Sequence, residues 1–117
     1  SFAGVFDLDR ARAAAMAAGG RLFDSLDALM ASDADAVVVS TPPHTHEDIA
    51  AAAMQAGKHV IVEKPMANTP EACARMIALA RERKLVLTVG FNHRYFPAIK
   101  ALRDAVTSGA IGTRALP

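Results

Sequence analysis

The residues of this chain that could do chemistry stand where strand-like runs end. Val60-Ile61-Val62 is an unbroken run of β-branched apolar residues, and Glu63-Lys64-Pro65 follows it with no spacer. Such a run reads as a fully buried strand. The sudden charge then falls at the carboxyl edge of a sheet, where open α/β folds bind ligands. A second run, Ala36-Val37-Val38-Val39-Ser40, ends in Thr41-Pro42-Pro43-His44, and its two prolines cannot continue a ladder. His44 and His46 form a pair that could ligate a metal, but no third ligand stands at a useful spacing, so no metal is expected. His59 opens a strand and reads as structural, and His93 reads as a group behind a site. Cys73 lies on an apolar helical stripe and is expected to be a core residue, not a nucleophile.

The elements that must position these residues alternate. Phe2 to Phe6 reads as a short strand closed by Asp7, and an alanine- and arginine-rich helix follows from about Asp9 to Ala18, stopped by Gly19-Gly20. Arg21 to Phe23 is a weak strand, and Ser25 can cap a short helix through Met30. After the Ala36 strand, Thr45 with Asp48 has capping-box spacing, and Ile49, Ala52, Ala53 and Ala56 share one face of a helix ended by Gly57. After Pro65, Thr69 caps a helix with Pro70 in its first turn and a stripe of Cys73, Met76, Ile77 and Ala80. Leu85 to Val89 is the next strand, Gly90 to Pro97 a loop, and Ala98 to Ser108 a last helix. Strand and helix in alternation with short joints imply parallel crossovers, hence a doubly wound α/β sheet.

At 117 residues and 52% hydrophobic, the chain suits one domain with an aliphatic core. A formal net charge of +1 with scattered basic residues argues against a nucleic-acid surface, and no apolar run approaches membrane-spanning length. The single cysteine forbids an internal disulfide and suits a reducing compartment, so a cytoplasmic location is expected. The chain begins at Ser1 on a strand-like run and stops at Pro117 shortly after Gly112. We therefore expect a piece of a longer protein, whose leader, if any, would leave no trace here.

Four segments together resemble the dehydrogenases similar to glucose–fructose oxidoreductase and myo-inositol dehydrogenase, the Gfo/Idh/MocA type. They are Val39-Ser40-Thr41-Pro42-Pro43-x-x-His46, Ala56-Gly57-Lys58-His59-Val60, Glu63-Lys64-Pro65 and Gly90-Phe91-Asn92-x-Arg94. The resemblance implies a partial NAD(P)-binding Rossmann domain over residues 1–110, with residues 111–117 starting the link to an absent α/β substrate domain. It implies hydride transfer between a nicotinamide cofactor and a sugar, polyol or related CH–OH substrate. Lys64 matches the lysine beside the reacting carbon, where an ammonium stabilises charge developing on oxygen. A cis Lys64-Pro65 bond is implied too. Ser40, Thr41, Pro42 and His46 match the turn against the cofactor, with Glu63 either a cofactor contact or a structural carboxylate. Asn92 and Arg94 match the loop facing nicotinamide and substrate, though Arg94 could instead pair with an acidic neighbour. Asp7 could accept the adenine-ribose hydroxyls, which favours NAD over NADP, or could merely cap a helix. The full-length parent is expected to be a homo-oligomer with a small-molecule substrate and no nucleic-acid or membrane partner.

One departure stands out. A Rossmann domain opens with a strand and a glycine-rich turn that cradles pyrophosphate, and this chain has none; Gly19-Gly20 ends a helix. In strand order 3-2-1-4-5-6 the absent strand is central. The strands at Phe2 and Ala36 should then keep exposed inner edges, and the isolated chain is expected to fold poorly and not to bind NAD measurably. Two alternatives stand beside the enzyme: a non-catalytic nicotinamide-sensing regulator on the same scaffold, and an inactive truncated product.

Overall fold

Every strand pair is parallel, and the pairs fall into two separate sheets. The computed structural model describes residues 1–112, so most of the expected link at 111–117 lies outside the described residues. The first sheet pairs β1 (Gly4–Val5) with β2 (Arg21–Leu22). Helix α1 (Arg10–Met16) joins them, and α2 (Leu26–Met30) follows. The second sheet runs β3 (Ala36–Val39), β4 (His59–Val62), β5 (Leu87–Val89), with α3 (His46–Gln55) and α4 (Pro70–Arg83) as crossovers. Helix α5 (Pro97–Thr107) comes last, after a 3-10 turn at Asn92–Tyr95 that replaces part of the expected loop.

This is an open, Rossmann-like α/β arrangement, divided where the 3-2-1-4-5-6 order places its first strand. The β1–β2 pair corresponds to positions 2 and 3 of that order, and β3–β4–β5 to 4, 5 and 6. Among the described residues no ladder joins the two sheets, so β1 and β3 each keep one edge unpaired.

Helices α3 and α4 arise from two right-handed crossovers that step the same way across the sheet, so both cover the same face. On that face Val37, Val39, Val60 and Val62 meet Ala50, Ala53 and Met54 of α3 and Met76 and Ala80 of α4. The other face is open: Val38 is 64% exposed and Ile61 42%. The expectation of fully buried strands is thus corrected to an alternating pattern, because helices cover only one side. Helix α5 packs on the 3-10 turn before it and leaves Ile99, Leu102 and Val106 exposed.

Both helical stripes differ in phase from the sequence reading. Helix α3 buries His46, Ala50, Ala53 and Met54, at i, i+4, i+7 and i+8, while Ala56 lies past its last turn and is exposed. In an alanine-rich helix periodicity barely distinguishes the faces; the larger Met54 and His46 decide which one turns inward. Helix α4 buries Ala72, Met76 and Ala80, half-buries Cys73, and leaves Ile77 at 39% exposure. The Thr45 cap is also corrected. Thr45 is helical, makes no capping bond, and α3 is entered through a 3-10 turn over Pro43–Thr45. Ser25, Thr69 and Asp9 do cap, accepting from Ala28 N, Ala72 N and Arg12 N.

Helix α4 ends on Lys84 in the left-handed region, at φ 55° and ψ 38°. An L side chain there crowds the following carbonyl, and glycine does not. Lys84→Gly should therefore raise the free energy of unfolding by about 0.5–1 kcal/mol, net of the unfolded-state entropy that glycine adds. Urea unfolding of the two forms measures it.

Candidate active site

Parallel register carries the site. Val39 is opposite Val62, and Val62 is opposite Val89, so β3, β4 and β5 end at one level. The ladder continues one step further, with Glu63 N donating to Val39 O at 2.9 Å and Gly90 N to Val62 O at 2.9 Å. Three turns consequently leave the same carboxyl edge side by side: Ser40-Thr41-Pro42, Glu63-Lys64-Pro65 and Gly90-Phe91-Asn92.

In the first turn, Ser40, Thr41 and Pro42 are exposed. The Thr45 hydroxyl lies 2.8 Å from Pro42 O and 2.7 Å from Thr41 Oγ1. A hydroxyl has one proton, so when Thr45 donates to the carbonyl it accepts from Thr41. That pair pins the turn and leaves Ser40 outward.

His46 sits beneath. It is fully buried, with Nε2 2.7 Å from Thr41 O and Nδ1 2.9 Å from Pro65 O. The resemblance sets His46 in the turn against the cofactor; here its ring has no exposed surface, and its two nitrogens face the backbone of two turns. His44 is exposed, and among the described residues no group of three metal-ligating side chains exists.

In the second turn Glu63 is half-buried, and its Oε2 accepts from Lys64 N at 3.2 Å. The Lys64–Pro65 bond is cis. The Lys64 side chain is exposed, and its ammonium makes no hydrogen bond or ion pair among the described residues. It lines neither the apolar hollow between α4 and β5 nor the hollow between the first turns of α3 and α4, and stands on an exposed rim of the sheet edge.

The third turn is built on Gly90. Asn92 opens the 3-10 turn and is exposed, and the Arg94 guanidinium stands 5.9 Å from the Phe91 ring centroid. Arg94 therefore stacks on a neighbour in its own turn, where no acidic partner meets it among the described residues.

Asp7 is not at this edge. It follows β1 of the other sheet, where Oδ1 accepts from Asp9 N at 2.8 Å and Oδ2 lies 3.7 Å from Arg12 Nη1. Asp9, not Asp7, caps α1.

Two groups were missed in the sequence. Lys58 is buried, and its ammonium donates to Ser32 O at 2.8 Å and Ala34 O at 2.9 Å, fixing the loop that leads into β3. A lysine between a helix-ending glycine and a strand was the available signal. Arg75 bonds Glu47 through both oxygens, at 2.6 and 3.0 Å, tying α4 to α3. That hydrogen bond holds the Glu47 carboxyl below its ordinary range and raises Arg75. The pair is solvent-facing and screened by salt, so it steers packing more than it stabilises.

Known proteins place this geometry. A family model described as "Oxidoreductase family, NAD-binding Rossmann fold" matches residues 1–91. The UDP-N-acetylglucosamine 3-dehydrogenase of Acidithiobacillus ferrooxidans is 48% identical over 105 residues, 88% of this chain and 33% of its own. Its structure superposes with a TM-score of 0.82. Inositol 2-dehydrogenase 1 of Saccharopolyspora erythraea is 40% identical over 111 residues, 91% of this chain and 33% of its own. A 3-ketoreductase from Actinomadura kijaniata, solved with TDP-benzene and NADP, is 32% identical with a TM-score of 0.84, over 95% of this chain and 35% of its own. The chain spans about a third of the length of the curated relatives it matches.

The contact between the second and third turns is testable directly. A Cβ on Gly90 would lie 3.0 Å from Glu63 Oε1 and 3.2 Å from its Cδ, so the carboxylate must move. Gly90→Ala should cost about 1 kcal/mol, and roughly half of that should vanish in a Glu63→Ala background. A double-mutant cycle by denaturant unfolding reads the coupling.

Proposed function

The chain belongs to the oxidoreductase family with an NAD-binding Rossmann fold, and from that membership we propose that it is the nucleotide-binding third of a dehydrogenase acting on a sugar, polyol or related CH–OH group. The observation that carries the reading is the common level at which β3, β4 and β5 end. It sets the Thr41-Pro42 turn, Lys64 and Asn92 along one ligand-binding edge. The named relatives act on a nucleotide sugar and on inositol, both of which offer secondary alcohols.

The exposed polar groups fit the nicotinamide half of a dinucleotide. Ser40 and Thr41 offer hydroxyls and Asn92 an amide, all exposed on adjacent turns. Among the described residues no glycine-rich turn lies beside the unpaired edges of β1 and β3 to cradle a pyrophosphate. A nicotinamide bound at this edge would supply the hydride acceptor for the alcohol carbon. The chain's own part is the proton. Lys64 stands to accept the hydroxyl hydrogen bond as an amine and take up that proton while the hydride leaves the carbon; the ammonium so formed then hydrogen-bonds the carbonyl oxygen and stabilises its partial negative charge. Arg94 orients the substrate from the neighbouring turn. Glu63 supports the Lys64 backbone with its carboxylate. Asp7 has one oxygen committed to Asp9 N and the other only near Arg12, so Oδ2 remains able to accept a ribose hydroxyl. That favours NAD; NADP would place a phosphate against a carboxylate.

Two outcomes are expected. In the full-length enzyme that carries this chain, Lys64→Ala should lower kcat by roughly 100- to 10,000-fold while NAD still binds. Turnover equal to wild type would remove Lys64 from the reaction. Residues 1–117 alone should show no micromolar NAD affinity by calorimetric titration, because the central strand and its turn are missing.

A further inference from the structure

We infer that His46 is a positioning residue that sets the height of Lys64 against the cofactor turn, by bridging the backbone of the two turns that carry them. The inference rests on Lys64 being the acid/base group.

The ring is at the first position of α3 and is fully buried. Its two nitrogens reach different turns: Nε2 stands 2.7 Å from the carbonyl of Thr41, after β3, and Nδ1 stands 2.9 Å from the carbonyl of Pro65, after β4. Pro65 is the residue next to Lys64, so the anchored carbonyl lies immediately downstream of the lysine. Thr41 is the residue whose hydroxyl and backbone shape the cofactor turn. A rigid, planar ring thus spans two adjacent turns whose relative position decides the distance from ammonium to nicotinamide.

The placement is specific to this ring. Past Glu63 N and Val39 O the β3–β4 ladder makes no further backbone bond among the described residues. Thr45 pins only the first turn to itself. Glu63 supports only its own turn. Among the described residues, His46 is the side chain whose two ring nitrogens lie within hydrogen-bond distance of both turns. Carbonyl oxygens only accept, so the neutral ring donates to one turn and packs against the other, and only the doubly protonated ring donates to both. The ring is fully buried, so its influence on a bound substrate or cofactor would pass through Lys64 and Thr41.

Two variants of similar volume separate the two halves of the bridge. In Gln, the terminal amide sits near the position of Nε2 and can keep the Thr41 bond. In Asn, it sits near Nδ1 and can keep the Pro65 bond. In the full-length enzyme, His46→Gln should lower kcat by roughly 10- to 100-fold with KM for NAD within about twofold, since misplacing a reacting group by an ångström costs on that scale. His46→Asn should show the converse, a KM for NAD raised roughly tenfold with kcat within about threefold. If the two variants instead lose kcat and KM in parallel with melting temperature, or match wild type, the bridge is mere packing and the inference is overturned. Lys64→Ala is run alongside. Unchanged turnover there overturns the acid/base reading itself, whereas lost turnover there with a wild-type His46→Gln overturns only the positioning role.

Discussion

The constraint from which everything else follows is the register of a short parallel ladder. A parallel pair needs a crossover, and the register that each crossover leaves decides the level at which its strands end. Ala36 pairs with His59 and Val60 with Leu87, so three strands of slightly different length finish together. Polar residues placed directly after each strand are then neighbours in space, though they are more than twenty residues apart in sequence. A one-residue slip would turn Val60 and Val62 outward and move every turn off this edge.

The same crossovers explain what the chain leaves bare. Both helices cover one face, so Val38 and Ile61 look into solvent on the other. Among the described residues no ladder joins the β1–β2 pair to the β3–β5 sheet, and in the 3-2-1-4-5-6 order that is where the direction of winding reverses. Rossmann domains bind the pyrophosphate at this reversal, using a strand, a tight turn and a helix N-terminus. The described residues supply both flanks of that slot and not its filling.

Two lysines, six residues apart, show how environment divides one side chain's work. Lys58 is 5% exposed, and its ammonium is spent on two carbonyls of the loop before β3. Lys64 is exposed and free of protein partners among the described residues. A buried ammonium must be hydrogen-bonded or it costs more than its fold can return. An exposed one at a sheet edge keeps its protons for a ligand. His46 belongs with Lys58 in this respect, since its polar atoms face inward to backbone and hold the frame that Lys64 stands on.

Alternation of apolar runs with helical stretches was sufficient to read the parallel α/β class, and the breaks at Thr41-Pro42, Glu63-Lys64 and Gly90 were sufficient to mark the edge. These are local properties: β-branched runs, prolines and glycines act on their own segment. What tertiary structure alone decided was orientation. Alanine-rich α3 carries so little contrast between its faces that only packing against Val39 and Val62 could choose His46 and Met54 as the buried ones. The same choice set the His46 ring against the backbone of two turns, since a side chain's partners depend on elements that meet only in three dimensions. Ile77 went outward and Lys58 inward for the same reason. Hydrophobicity sets how much each residue gains from burial, but the number of helices on a sheet face decides which residues receive it.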